Sequence, residues 1–125
     1  DAGAAAFTVL TSNAKHSWVH MLEQGATATM EAWAADEKPN LTWSHVWSAS
    51  PGFLVPWLLF GLRCLVPGCA QLQVQPAPGA LVSGFYSLPT VKGPVNCSLD
   101  QPSGPGSLTI RLALPAGIEA SVVMA

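Results

Sequence analysis

SPGFLVPWLLFGLRCLVPG, residues 50–68, decides how this chain is built. Ser50-Pro51 reads as a helix start, with serine at the cap and proline at the first helical position, where its missing N–H is not needed. The run that follows to Leu62 is apolar nearly all round, which predicts a buried helix. Pro56 sits where it removes an intrahelical bond and kinks the helix. Pro67-Gly68 then ends one style of sequence and begins another.

Upstream lie all five tryptophans (Trp18, Trp33, Trp43, Trp47 and Trp57) and all three histidines. The first residues look like the inside of a helix. Ser17 is a good N-cap for a second one, with Trp18, Met21, Leu22 and Gly25 on one face and His20, Glu23 and Gln24 on another. Gly25 should end it. Residues 26–33 are rich in Thr and Ala and read as extended or irregular. Asp36 to Asn40, the one dense polar patch, reads as an exposed loop.

Downstream lie most of the prolines and glycines. Gln71–Gln75, Leu81–Leu88, Val95–Leu99, Leu108–Leu114 and Ile118–Met124 read as short strands. Ala77-Pro78-Gly79, Lys92-Gly93-Pro94, Pro102 to Gly106 and Pro115-Ala116-Gly117 read as turns between them. Strands at this spacing predict an antiparallel sheet or half of a sandwich. This half carries few polar groups that could converge on chemistry.

Half of the 125 residues are hydrophobic and only 10% are charged, against about a quarter in ordinary soluble domains. So little charge covers a small surface poorly. Much of the surface is expected to pack against something else, and the simplest reading is a C-terminal fragment of a larger protein. The net charge of −2 and the scatter of Lys15, Lys38, Arg63, Lys92 and Arg111 argue against a nucleic-acid partner. The apolar run from Phe53 to Leu62 is about half of the roughly 20 residues a membrane span needs, so no membrane partner is expected. Cys64, Cys69 and Cys97 fit no zinc spacing and read first as buried thiols, with a Cys64–Cys69 or Cys69–Cys97 pairing left open. Two sequons, at Asn40 and Asn96, would permit glycosylation in a secreted protein.

Residues 17–51 hold Glu23, Glu31, His20, His45, Trp18, Trp33, Trp43 and Trp47. A sugar site wants this mixture, because pyranose C–H faces pack on aromatic rings while hydroxyls need a few placed polar groups. Plainer readings stand beside it. Trp18 at helical spacing is better placed as core, and His20 and Glu23, at i and i+3, suit a helix-surface or hydrogen-bonding role better than metal ligation. Glu31 on its own suits an ordinary ion pair, and His45 suits a satisfied core histidine as well as a ligand contact.

The run LTSNAKHSWVHMLEQGATATMEAW (residues 10–33), followed by SHVWSASP (44–51), resembles the end of the catalytic domain in the α-L-rhamnosidase family of glycoside hydrolases. That family carries S-W-x-x-M-L-E-Q-G-A-T-T-x-W-E-x-W, then an S/N-H-x-W-S segment, a last apolar helix and a C-terminal β-domain. The resemblance implies an α+β fragment. Residues 1–66 would be the closing helices of an (α/α)6 toroid, and residues 67–125 an antiparallel β-sandwich-type domain.

It also implies an inverting hydrolase that releases terminal α-L-rhamnose from rhamnosides, with the rest of its own catalytic domain as partner. Glu31 would be the general base, kept ionised by Thr27, Thr29 or backbone N–H groups and facing a sugar-sized hollow. His45 would contact the sugar hydroxyls, and Trp33 or Trp47 would wall the pocket. No metal or cofactor is called for. The family's general acid lies upstream in an acidic motif that this chain lacks, so the chain alone is expected to be inactive. Met30 departs from the pattern, standing where the family has Trp; an aromatic wall is lost there. The rival readings are another (α/α)6 sugar enzyme and a non-catalytic carbohydrate-binding or structural remnant.

Overall fold

A computed structural model describes residues 2–102 and 107–123. Within them the chain is α+β. Three short helices, α1 (Ala2–Leu10), α2 (Trp18–Glu23) and α3 (Pro51–Leu54), precede six strands. The strands are β1 (Leu62–Cys64), β2 (Gln71–Val74), β3 (Ser83–Leu88), β4 (Val95–Asp100), β5 (Thr109–Ala113) and β6 (Glu119–Val122).

The apolar stretch departs from a plain helix in three ways. Ser50 makes no side-chain cap; it is itself helical, and its carbonyl accepts the N–H groups of Phe53 and Leu54. Pro56 has no N–H to give to the preceding turn. The helix widens there into a single π turn over Val55–Leu59, closed by the Phe60 N–H on the Val55 carbonyl at 3.2 Å, which is a common response to a broken ladder. The stretch is also not buried all round. Pro56, Leu59 and Phe60 face inward, but Phe53 is 55% exposed and Trp57 38%. These two rings stack on each other at 4.9 Å, and the Arg63 guanidinium lies over Trp57.

Gly61 ends the helix at φ +66, and a Cβ there would lie 2.0 Å from the Gln75 backbone. Only glycine permits that approach. The chain can therefore turn directly into β1, a strand the apolar run concealed. β1 pairs antiparallel with β2, Leu62 opposite Val74 and Cys64 opposite Leu72. Cys64 and Cys69 form a disulfide across this hairpin, which overturns the reading of both as free thiols. Cys97 remains a buried thiol, and burial pushes its pKa up to about 11.

All five expected strands form. Their ends fall within a few residues of the expected ones, with Met124 and most of the Pro102 to Gly106 turn outside the described residues. β3, β4 and β5 make one antiparallel sheet, and β1, β2 and β6 make a second, mixed one. β6 joins β2 in parallel. A parallel pair needs a long crossover, and here the whole β3–β4–β5 sheet supplies it.

Alternation sets the faces. Val95, Cys97 and Leu99 of β4 point inward, and so do Leu72 and Val74 of β2, each at most 1% exposed. They share one core with Ala6 of α1, Leu59, Phe60, Leu62 and Ile118. Alanine-rich α1 is a strong helix former. It packs so tightly that a Cβ on Gly3 would overlap the Ala77 carbonyl at 1.7 Å. The core therefore draws on elements from both sides of residue 67. No helix among the described residues is long and apolar enough to cross a membrane.

Candidate active site

The segment after α1 is built on polar contacts. Ser17, 2% exposed, caps α2 through a hydrogen bond from the His20 N–H at 3.1 Å. Gly25, at φ +85, ends that turn of the chain. Residues 26–33 are irregular, as their composition suggests. They fold over a small core of Met21, Ala26 and Met30, flanked by Trp18, Trp33 and Leu41.

Two stretches then run side by side without forming a regular strand pair. The His45 N–H donates to the Thr29 carbonyl at 2.7 Å, and the Glu31 N–H to the Thr42 carbonyl at 2.9 Å. The Thr29 hydroxyl returns a bond to the His45 carbonyl at 2.8 Å. Below them the Ser48 hydroxyl donates to the Met30 carbonyl, and the Trp18 indole N–H to the Ser48 carbonyl at 2.7 Å. Gln24 clasps the far end: its amide donates to the Trp33 carbonyl at 3.2 Å and accepts the Ala35 N–H at 2.7 Å. Residues fourteen apart in sequence, Glu31 and His45, are thus fixed on neighbouring segments.

Each carboxylate oxygen of Glu31 has one partner. Oε1 accepts from the Lys38 ammonium, and Oε2 from the Thr42 N–H at 3.2 Å. The lysine hydrogen bond, then the Thr42 N–H, hold the Glu31 carboxyl below its ordinary value; partial burial opposes them, and the charges of Lys38 and His45 assist. The backbone donor was foreseen. The threonine hydroxyls were not the answer, since Thr29 is committed to His45. Glu31 is not an unpaired carboxylate. It makes an ion pair with Lys38, their side chains 22% and 38% exposed. Each oxygen keeps lone-pair capacity for a further donor, such as water.

His45 is half-buried. Its Nδ1 accepts the Trp47 N–H at 3.2 Å, which in the neutral form of the ring places the proton on Nε2. Trp47 is 80% exposed and its ring lies 5.7 Å from that of His45. Trp33 behaves differently. It is half-buried and packs edge-on against Trp18 at 5.3 Å, in the wall of the small core. Trp18 is core, as expected. Met30 is fully buried, so in this chain position 30 fills the loop's interior instead of lining a surface. His20 and Glu23 pair with each other at 3.5 Å, and among the described residues no His, Cys, Asp or Glu cluster could hold a metal.

Lys38 and Gln24 were missed as partners. Lys38 had one signal: it is a lone cation seven residues beyond a glutamate in a stretch otherwise poor in positive charge. Gln24 gave none, because its bonds run to backbone groups.

Residues 2–59 match the family model described as the bacterial alpha-L-rhamnosidase 6 hairpin glycosidase domain. Among solved structures, the chain is similar to the Streptomyces avermitilis alpha-L-rhamnosidase complexed with L-rhamnose, at TM-score 0.79 and 22% identity over 95% of this chain and 12% of that one. It is similar to the alpha-L-rhamnosidase from Dictyoglumus thermophilum at TM-score 0.79 and 23% identity, over 95% of this chain and 14% of that one. The native enzyme from Aspergillus terreus also aligns at TM-score 0.79, with 20% identity over 98% of this chain and 15% of that one. No curated protein sequence matches. The chain thus spans about an eighth of the length of these solved proteins. The family-model match, residues 2–59, includes Glu31 and His45.

Proposed function

We propose that this chain is the C-terminal part of an inverting α-L-rhamnosidase in which Glu31 is the general base. One observation carries the reading. Within the family-matched residues, a carboxylate held ionised by Lys38 and Thr42 sits on a segment laced to the one bearing His45. A general base must be ionised at working pH and within reach of the proton it removes.

Glu31 would take a proton from a water as that water attacks the anomeric carbon. A carboxylic acid outside this chain would protonate the departing oxygen, with the two carboxyls about 6.5–9.5 Å apart to admit the water. The Nε2 proton of His45 would bind a sugar hydroxyl, and exposed Trp47 would offer an apolar face to the ring or its methyl group. Trp33 would support this wall from behind through Trp18. Residues 1–66 would close an (α/α)6 toroid and residues 67–125 form the terminal β-domain. The remainder of the catalytic domain would cover exposed Val46 and Phe53.

The Lys38 pair also suits a purely structural glutamate, so the test must report chemistry. In the complete enzyme acting on an α-L-rhamnoside, NMR should detect the β-anomer of rhamnose first. Initial release of the α-anomer would contradict an inverting base. Hydrolysis of other glycosides in place of rhamnosides would favour a different (α/α)6 sugar enzyme.

A further inference from the structure

We infer that Lys38 is the positioning residue of this site, fixing the orientation and the ionised state of Glu31 through an ammonium–carboxylate hydrogen bond. The inference rests on Glu31 being the base, and it concerns a side chain that the sequence placed merely in an exposed loop.

The geometry is specific. The loop from Ala34 to Thr42 leaves the Glu31 segment and returns to it, bringing two donors to one carboxylate. The Thr42 N–H takes Oε2 while its carbonyl takes the Glu31 N–H, so main chain and side chain are gripped by one residue. Lys38, near the middle of the same loop, takes the other oxygen. The acidic neighbours in that loop do not compete for it. Glu37 is held by His16, Lys15 and the Trp33 N–H, and Asp36 lies against Lys15. His45 is the other titratable group whose charge reaches Glu31.

A carboxylate gripped at both oxygens cannot rotate, which leaves its remaining lone pairs in fixed directions for a water. The lysine supplies the part of this grip that is sensitive to charge. Glu31 then stays ionised to lower pH than an ordinary glutamate, so a base of this kind works further into acid.

The experiment is the pH profile of kcat/KM for the complete enzyme carrying Lys38→Met, Lys38→Gln and Lys38→Arg. Lys38→Met should move the acidic limb toward neutral pH and lower kcat by about tenfold, with KM little changed, the size expected when a reacting group loses its alignment. Lys38→Gln keeps a donor without the charge; its acidic limb should move as well. Lys38→Arg should restore the limb to its original place. An unmoved limb in Lys38→Met, or in Lys38→Gln should the methionine variant not fold, would overturn the inference. Failure of the underlying reading looks different: a Glu31→Gln enzyme with unimpaired turnover would remove the base itself, whatever Lys38 does.

Discussion

The two sheets and the loop region of residues 17–48 solve the folding problem by different means. The sheets bury Leu72, Val74, Val95, Cys97 and Leu99 in a common apolar core and add a disulfide at one hairpin. The loop region has only Met21, Ala26 and Met30 as its own core. It is held by directed bonds instead: Ser17 on α2, Gln24 across Trp33 and Ala35, Thr29 and His45 on each other, Lys38 and Thr42 on Glu31. Apolar burial is non-directional and supplies stability. Hydrogen bonds add less net stability but fix orientation. A site that must aim a carboxylate is therefore expected on the second kind of structure, supported by the first.

That division can be broken by substitution. The largest effect should come from Leu99→Ala in β4, where Leu99 is 1% exposed. Removing that side chain should cost about 2–5 kcal/mol, read from denaturant unfolding. It should leave the pH profile of the surviving folded enzyme unchanged. A shifted profile would show that the sheets tune the site directly. A smaller effect is expected from replacing Cys64 and Cys69 together by serine. Their bridge closes a loop of sequence separation 5, so chain entropy predicts a loss of about 2 kcal/mol. The folded enzyme should keep its turnover, and loss of turnover without loss of fold would contradict the separation of scaffold from site.

What could be read from the sequence follows the same division. Strands β2 to β6 were legible because one buried face forces alternation, as in Val95, Cys97 and Leu99. The α2 cap was legible because Ser17 acts locally. β1 was hidden because Leu62 continues an apolar run whose change of direction depends on Gly61 meeting the Gln75 backbone, a contact between distant residues. The cap expected at Ser50 failed because Ser50 is itself in the helical conformation, whereas a capping side chain needs extended backbone. The disulfide needed the β1–β2 hairpin before it could be assigned. Glu31 and His45 stand out in the sequence through an ordered motif, but the Lys38 partner of Glu31 depends on how one loop returns, and local composition carries little of that.

The most direct test is Glu31→Gln in the complete enzyme, assayed on an α-L-rhamnoside. The amide preserves shape and can still accept the Thr42 N–H, while the charge that would activate water is gone. Turnover should fall by about a hundredfold or more, with the unfolding midpoint close to that of the parent. Turnover near the parent value would show that this carboxylate only anchors a loop.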